Sequence, residues 1–200
     1  MYVYDMALAG TVNRDTGDTR VIARGLREGD VAVLQMLVEE YQDRLVRYLV
    51  YVLGRRDGVD DLVQETWLRV MERGRSYDGR SRFEPWLFTV ARHLAIDFLR
   101  RQREVSLDEE DDGRPVMQAP VSQGLSPFAQ AARTEDAERL AGALEELQPI
   151  YREALVLRFL EDMSLQEVSE VVGSPVATVA ARIYRGLAAL RSQMEEKHES

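Results

Sequence analysis

A chain of 200 residues with 45% apolar residues can form one domain or two small ones. It has no cysteine and only two histidines, which excludes disulfides, thiol catalysis and cysteine-ligated zinc and argues against a histidine-based metal site. Charged residues interrupt every apolar run before it reaches about 18 residues, so we expect a cytoplasmic protein with no membrane insertion.

The charge of the chain is unevenly distributed. The whole chain carries a net charge of −9, yet residues 73–103 hold eight arginines against three acids, a net charge of +5. We call residues 73–103 the basic island. Lys197 is the only lysine, so the cations of the island are guanidinium groups, which suit phosphates and base edges. A basic island in an acidic chain indicates a local surface for a polyanion.

The chain opens with residues 1–27, which show little periodicity. We interpret them as a flexible N-terminal arm with a short helix near its end. A helix then follows from Asp30, a favourable N-cap, to about Leu53, and Gly54 ends it. Apolar residues at helical spacing mark its buried face. They are Leu34, Leu37, Val38, Tyr41, Leu45, Tyr48, Leu49 and Val52.

A second helix is predicted from Asp60, as its N-cap, to about Glu72, and it carries two stripes. Its core stripe consists of Leu62, Val63, Thr66, Trp67 and Val70, and its outer stripe of Asp61, Gln64, Glu65, Leu68 and Glu72. The outer stripe is either a solvated acidic face with a surface leucine or a docking face for a partner. The pattern alone favours the solvated face.

After a loop at 74–82, a long helix is predicted from Phe83 to Arg103, and Pro85 suits its first turn. One side is apolar, with Leu87, Val90, Ala91, Leu94, Phe98 and Leu99. Much of the rest is polar, with Arg92, His93, Asp97, Arg100, Arg101 and Arg103. Such a helix can be held in a core by one side and lie along a polyanion by the other.

Residues 104–134 have the composition of a flexible acidic linker, with an acidic run at 108–112, three prolines and no strong period. Fully extended, this linker could span about 100 Å. Because the acidic run follows the basic island so closely, it could shield the island in the free protein. Helices are predicted after it, from a cap at Thr134 to about Leu147 and from Pro149 to about Leu160.

Two further helices joined by a tight turn are predicted at 164–191. Ser164 and Glu167 form a capping box, and Gly173 suits the left-handed residue that ends a helix. Ser174 then caps the next helix, with Pro175 at its first position. Its core residues are Val176, Val179, Ile183, Leu187 and Leu190, and its outer face has Thr178, Arg182, Tyr184, Arg185 and Arg191. This is the helix-turn-helix layout, which favours DNA binding but also occurs in ordinary helical cores.

The elements predict an all-α protein of two small helical domains joined by a flexible acidic linker, the second being a helix-turn-helix domain. The predicted boundaries are an arm at 1–27, domains at 28–103 and 135–194, a linker at 104–134 and a tail at 195–200.

Three stretches in this order resemble a known family. They are DDLVQETWLRV, SRFEPWLFTVARHLAIDFLRR and, beyond the linker, SLQEVSEVVGSPVATVAARIYRGLAALR. Together they resemble the extracytoplasmic-function group of bacterial sigma factors, the small two-domain initiation subunits of RNA polymerase. The resemblance covers residues 28–192, and two motif blocks in the right order are more specific than either alone.

The resemblance implies a role for each surface. The first domain, similar to sigma region 2, would dock on the clamp coiled coil of core polymerase through Asp60, Asp61, Gln64, Glu65 and Leu68. It would also recognise and melt the −10 promoter element through Arg82, Trp86, Arg92, His93, Asp97, Arg100 and Arg101. The second domain, similar to region 4, would meet the polymerase flap and bind the −35 element through Ser174, Thr178, Ala181, Arg182, Tyr184 and Arg185. The linker would thread near the active-site and RNA-exit channel.

Some positions depart from the family or have two interpretations. Position 93 is His where the family more often has Asn, and position 180 is Ala where Lys or Arg is common, which predicts a weaker −35 contact. The apolar surroundings of Trp86 favour a core tryptophan over a base contact. Many relatives are held by an anti-sigma protein, and no residue here demonstrates one.

The main alternative function is a stand-alone helix-turn-helix transcriptional regulator, which would bind DNA without polymerase, usually as a dimer on a palindrome. It gives no role to the outer stripe at 60–72 or to the basic island. The sequence contains no Gly-rich phosphate loop, nucleophile motif or metal-ligand cluster, so we expect neither an enzyme nor a cofactor. The promoter sequence, regulon and inducing signal do not follow from the sequence.

Overall fold

The computed structural model describes residues 19–108 and 135–196, and these residues form helices and turns with no β-strand among them. This confirms the predicted all-α class. In the first described segment, α1 covers Thr19–Glu28, α2 covers Val31–Leu53, and α3 covers Val59–Arg73. A single 3-10 turn at Gly74–Ser76 then leads through a loop to α4 at Phe83–Asp108.

The second described segment begins with α5 at Glu135–Glu146 and α6 at Pro149–Leu155. α6 continues directly into a π-helical turn at Val156–Leu160. The helix-turn-helix pair follows, with α7 at Leu165–Val172 and α8 at Val176–Glu196. The predicted cap at Thr134 and most of the acidic linker lie outside the described residues.

The ends of α2 and α3 show how turn chemistry sets the helices. Asp30 caps α2 by accepting the Ala32 N–H at 2.9 Å, as predicted, and Gly54 ends it with φ at +69°. The predicted N-cap at Asp60 is wrong, because Gly58, with φ at +78°, precedes α3 instead. A side chain at position 58 would collide with the Phe98 ring, since a Cβ there would lie 2.6 Å from it.

The expectation of a flexible arm through residue 27 does not hold for residues 19–27. They form α1, the short helix expected near the arm's end, and its Ile22, Ala23 and Leu26 are buried against α2 and the 3-10 turn. The Thr19 hydroxyl donates to the Gly79 carbonyl at 2.7 Å, so α1 also fastens the loop that leads into α4.

Two helices extend beyond the predicted domain boundaries. α4 continues to Asp108, so residues 104–108 are helical and do not belong to the predicted linker. α8 likewise continues to Glu196, two residues into the predicted tail. A helix that is already anchored by its packed apolar face can continue until it meets residues that disfavour helix. The ends of a helix are also the part whose position is least sharply defined.

The helix-turn-helix pair has the predicted turn. Ser164 and Glu167 form the capping box through bonds of 3.2 and 2.7 Å, and Gly173 adopts φ of +62°. α8 begins at Val176 rather than at Pro175, whose carbonyl accepts the first N–H bonds of the helix. The Ser174 carbonyl accepts from the Ser169 hydroxyl at 2.7 Å, which closes the turn.

The two predicted domains pack directly against each other. α4 lies against α7, and α2 lies against α6 and the π-helical turn, so the buried residues of both domains form one continuous apolar cluster. This arrangement places the helix-turn-helix pair beside the helix that carries the basic island.

Candidate nucleic-acid interface

The outer stripe of α3 is accessible. Asp60, Asp61, Gln64 and Leu68 are exposed, with Leu68 at 49%, while the core stripe beneath them is buried. Glu65 is half-buried and pairs with the Arg69 guanidinium at 3.0 Å. Acidic side chains in the first turn of α3 stabilise it through the helix dipole, so the stripe also has a structural role.

One side of α4 faces solvent. His93 and Arg100 are exposed, and Asp97, on the same side at helical spacing, is half-buried and pairs with Arg100 at 3.2 Å. Arg101 is exposed beside them, and its Nε donates to the Asp97 carbonyl at 3.4 Å. These four predicted residues therefore form one continuous polar surface with two guanidinium groups.

Trp86 lies at the edge of an aromatic cluster in the first turn of α4. Its ring centroid is 5.6 Å from that of Phe83 and 5.7 Å from that of Tyr77, and the Tyr41 ring is 5.5 Å from that of Phe83. Trp86 is half-buried, so one part of the ring anchors the core and another part is accessible. The two interpretations of this tryptophan are therefore compatible.

Arg82 and Arg92 face the second domain. Arg82 donates to Glu84 at 2.9 Å and lies 3.6 Å from Glu167 of α7, and Arg92 donates to Glu153 of α6 at 2.8 Å. Burial lowers the pKa of Arg82, but its hydrogen bond to Glu84 and the charges of Glu84 and Glu167 outweigh this and raise the pKa above its usual value. Both arginines are therefore already bonded to carboxylates.

The outer face of α8 carries the predicted −35 residues. Thr178, Ala181 and Arg185 are exposed and Arg182 is half-buried, and helical spacing places them on one side. Tyr184 is 76% exposed on the adjoining side, an unusual position for a large aromatic ring.

Two positions lie away from this outer face: Ser174, a predicted −35 residue, and Ala180, where the chain departs from the family pattern. Ser174 is half-buried in the turn, where its backbone is bonded to Ser169. Ala180 is half-buried and lies about 100° around the helix from Ala181, toward the core side. A longer side chain at position 180 would therefore start from the half-buried side of α8 and not from its outer face.

Sequence reasoning missed two exposed apolar residues next to these surfaces. Met71 is 54% exposed and lies three residues after Leu68 on α3, and Ile96 is 42% exposed and lies three residues after His93 on α4. In each case the sequence indicated the position, because the apolar residue lies three residues after a predicted site residue and therefore next to it on the helix surface. It was overlooked because both residues could equally belong to the core stripe of their helix.

Within residues 19–108 and 135–196, no group of three or more histidine, aspartate or glutamate side chains is arranged to hold a metal ion. Over the same part of the chain, none of the helices has both the length and the apolar character to cross a membrane.

Comparison with known families matches both domains. The family model for sigma-70 region 2 matches residues 37–105, and the model for sigma-70 region 4 matches residues 137–190. The first match contains all of α3 and most of α4, and the second contains the helix-turn-helix pair.

Several curated proteins are similar over most of the chain. The ECF RNA polymerase sigma factor SigX of Bacillus subtilis is 30% identical over 80% of this chain and 83% of its own length. SigW of the same organism is 29% identical over 86% and 94%. The RNA polymerase sigma factor CarQ of Myxococcus xanthus is 30% identical over 85% and 94%.

Solved structures share the fold. The sigma factor RpoE of Bartonella quintana, in complex with the anti-sigma factor NepR, superposes with a TM-score of 0.65 at 22% identity over 82% of this chain and 98% of its own. CnrH, in complex with the cytosolic domain of CnrY, gives 0.63 at 23% identity over 90% and 99%. With both sigma-70 regions matched in order and relatives at 30% identity along most of their length, the chain belongs to the extracytoplasmic-function group of RNA polymerase sigma factors, which direct promoter-specific transcription initiation.

Proposed function

We propose that this sigma factor divides its work among three surfaces: the outer stripe of α3 binds core RNA polymerase, the exposed side of α4 binds the −10 element, and the outer face of α8 binds the −35 element. The observation that carries the proposal is the exposure of Leu68 and Met71 within an acidic stripe. A stand-alone helix-turn-helix regulator would give this stripe no role.

The α3 stripe has the chemistry of a docking surface. Leu68 and Met71 supply apolar area that loses water on contact, and Asp61 and Glu65 around them supply charge that selects a basic partner and steers it. The clamp coiled coil of core polymerase is the partner that the family implies.

The exposed side of α4 suits a melted strand. Unstacked bases need apolar or aromatic walls, and their backbone needs cations. Ile96 and the accessible part of Trp86 can supply walls, and Arg100 and Arg101 can supply phosphate contacts. His93, between them, can donate to or accept from a base edge.

On α8, Arg182 and Arg185 can bind phosphates or guanine edges in the major groove, and Thr178 can approach a base edge closely. Tyr184 is placed to contact the backbone at the side of the groove. The small Ala181 allows close approach of the helix to the bases.

Three further assignments follow from this function. A sigma factor acts by binding, so we assign no catalytic activity to the chain. Its work on RNA polymerase places it in the cytoplasm. An anti-sigma factor is a proposed additional partner, supported by the complex in which the Bartonella quintana relative was solved.

The α3 assignment is tested by the double variant Asp61→Arg and Glu65→Arg in a pull-down with core RNA polymerase. We expect binding to fall by roughly two orders of magnitude, because two attractions become repulsions at the contact. The control is Glu28→Arg with Glu40→Arg, which changes the charge equally at exposed sites outside α3. Equal retention of both variants on core polymerase would remove α3 from the interface.

A further inference from the structure

Three arginines of α1 have no place in the proposed −10, −35 or polymerase surfaces. Arg20, Arg24 and Arg27 are all exposed, and their helical spacing places them within about 60° of one another around the axis. The only acid of α1 is Glu28, which pairs with Arg24 at 3.0 Å. α1 lies outside residues 37–105, which the region 2 model matches. The helix therefore has a basic side without an assigned role.

The 3-10 turn and the loop after it contribute three more exposed arginines. They are Arg73, Arg75 and Arg80, which belong to the basic island but not to the proposed −10 surface. The loop that carries Arg80 is well bonded, because the buried Tyr77 donates its hydroxyl to the Ser81 carbonyl at 2.6 Å. Its guanidinium group thus extends from a fixed backbone.

Close backbone packing brings these two sets of arginines together. A Cβ on Gly74 would lie 2.9 Å from the Leu26 Cβ, and a Cβ on Gly79 would lie 2.8 Å from the Thr19 carbonyl oxygen. Thr19 and Leu26 therefore face the turn and loop. Arg20 and Arg27, each the next residue, lie about 100° farther around the helix.

The opposite direction around α1 leads to α2. Gly25, the residue before Leu26, is in close contact with Val33 of α2. The arginines therefore lie beside the loop and away from α2. We call this surface the α1–loop patch; it consists of Arg20, Arg24, Arg27, Arg73, Arg75 and Arg80.

The patch has a large excess of positive charge. Residues 19–28 and 73–81 hold six arginines against Glu28 and Asp78, a net charge of +4 in a chain of −9. Both acids are exposed, and their pairs with Arg24 and Arg80, at 3.0 and 3.4 Å, are surface pairs that contribute little. A phosphate backbone can displace such pairs at small cost, and guanidinium groups suit phosphate.

The patch adjoins the proposed −10 surface. The Tyr77 ring in the loop lies 5.7 Å from the Trp86 ring, which is at the N-terminal end of that surface. From Arg100 to Trp86 the exposed side of α4 is about 21 Å long. A DNA strand that follows α4 to Trp86 therefore meets the loop and then α1. This continuity favours DNA over an acidic protein as the partner of the patch.

We propose that the α1–loop patch binds the phosphate backbone of promoter DNA beyond the −10 element, which makes α1 a DNA-binding element of this sigma factor. The inference rests on the proposed function, through the assignment of α4 to the −10 element. Phosphate contacts position a protein and add affinity without reading sequence. The patch therefore strengthens promoter binding and leaves the preferred −10 sequence unchanged.

The patch is tested by the salt dependence of promoter binding. The probe is a fluorescent promoter fragment that core polymerase with the unaltered protein selects from random sequences. With Arg20→Gln and Arg27→Gln together, the plot of log affinity against log salt concentration should be shallower by about 1.4 to 1.8. Each lost phosphate contact removes a slope of about 0.7 in a single strand and about 0.9 in a duplex.

Two control variants separate phosphate contact from other causes. Gln148→Glu with Ser192→Glu lowers the net charge equally at exposed sites of the second domain and should leave the slope unchanged. Arg20→Lys with Arg27→Lys should also keep the slope, because lysine binds phosphate as a point charge. Circular dichroism should show equal helicity in all variants.

Retention on core polymerase in a pull-down identifies the partner. We expect the Arg20→Gln and Arg27→Gln variant to be retained as fully as the unaltered protein. Weaker retention would assign the patch to polymerase, and an unchanged slope, or an equal change in the charge control, would leave it a solvated face. Each of these results overturns the proposal. If the unaltered protein selects no promoter with core polymerase, the proposed function fails and the patch proposal falls with it.

Discussion

At the scale of single residues, Arg152 shows how one buried side chain can join two domains. Its Nη1 donates to the Tyr51 carbonyl at the end of α2 at 3.1 Å, and its Nη2 donates to the carbonyls of Glu145 and Leu147 at 2.6 and 2.9 Å. Burial lowers the pKa of Arg152, an effect that Glu145 partly offsets. Carbonyls at helix ends lack intrahelical donors, and a guanidinium near them is favoured by the helix dipole.

Replacing Arg152 by Met should therefore be costly. Three buried or part-buried carbonyls lose their donor, and we expect the free energy of unfolding to fall by about 3 kcal/mol in urea denaturation. Arg158→Met is the matched control, since Arg158 donates to a single part-buried carbonyl, that of Met163, and we expect a loss of about 1 kcal/mol or less. Equal losses for the two variants would contradict the role given to Arg152.

Tyr48, whose hydroxyl donates to Glu153 at 2.9 Å, gives the stability of the fold a dependence on pH. Burial raises the pKa of Tyr48 well above its usual value of 10.0, and the adjacent Glu153 raises it further. The unfolded chain loses this proton above about pH 10 while the folded chain keeps it, so stability is full below that pH and falls as the pH rises.

The Tyr48→Phe variant should remove this part of the alkaline loss. A single tyrosine of this kind contributes a slope of up to about 1.4 kcal/mol per pH unit, visible in unfolding measured from pH 9 to 11. Tyr184→Phe, at an exposed tyrosine of α8, should leave the slope in place. A slope that is the same in all three proteins would show that Tyr48 does not carry it.

The side chains of the interdomain contact could not have been paired from the sequence. Arg92 and Glu153 are separated by 61 residues, and Arg44 and Glu161 by 117. Helical spacing predicts which residues share a face, but it does not say which face of another helix they meet. Helical spacing correctly placed His93, Arg100 and Arg101 on an exposed side of α4. It could not show that Arg82 and Arg92 are engaged by glutamates.

At the scale of elements, α1 is the helix whose burial in the core was least evident from the sequence. Its Ile22 and Leu26 have the spacing of a buried stripe, but α1 is only ten residues long and such short helices give weak periodic signals. Gly25 makes the packing possible, because a Cβ there would lie 2.5 Å from Val33. A requirement of this kind depends on a close approach that only the folded chain reveals.

The Ile22→Ala variant tests whether α1 belongs to the core. Ile22 is buried, so we expect a loss of about 2–4 kcal/mol in the free energy of unfolding. Its neighbour Val21 is exposed, and Val21→Ala should cost less than about 0.5 kcal/mol. If Ile22→Ala is as mild as its neighbour, residues 19–28 contribute nothing to the core and the arm interpretation returns.

Elements with strong local chemistry were predicted well. Asp30, Gly54, the capping box at Ser164 and Gly173 all act as the sequence indicates, because each satisfies backbone groups within a few residues of itself. The π-helical turn at Val156–Leu160 was missed, since its apolar residues fit an ordinary helix equally well. The turn ends at Glu161, which places that carboxylate between Arg44 and Arg47.

At the scale of the whole molecule, the closed arrangement and the family function require different states of the same chain. The closed state, in which the two domains pack together, buries apolar surface between α4 and α7 and pairs Glu161 with Arg44 and Arg47. The −10 and −35 elements are about 25 base pairs apart, or roughly 85 Å of B-DNA, whereas in the closed state α4 is in contact with α7, which in turn contacts α8. Polymerase binds the two domains at separate places. It can supply the free energy for this change only if it binds the open state more tightly than the closed state.

As a sigma factor, this chain should make core RNA polymerase initiate at specific promoters. The test is in-vitro transcription on a library of random promoter sequences, with core polymerase in the presence and absence of the protein. We predict transcripts that depend on the protein and arise from templates that share two blocks, one near −10 and one near −35. Transcription that is unchanged by the protein, or enrichment of a single palindrome that the protein binds without polymerase, would contradict the account.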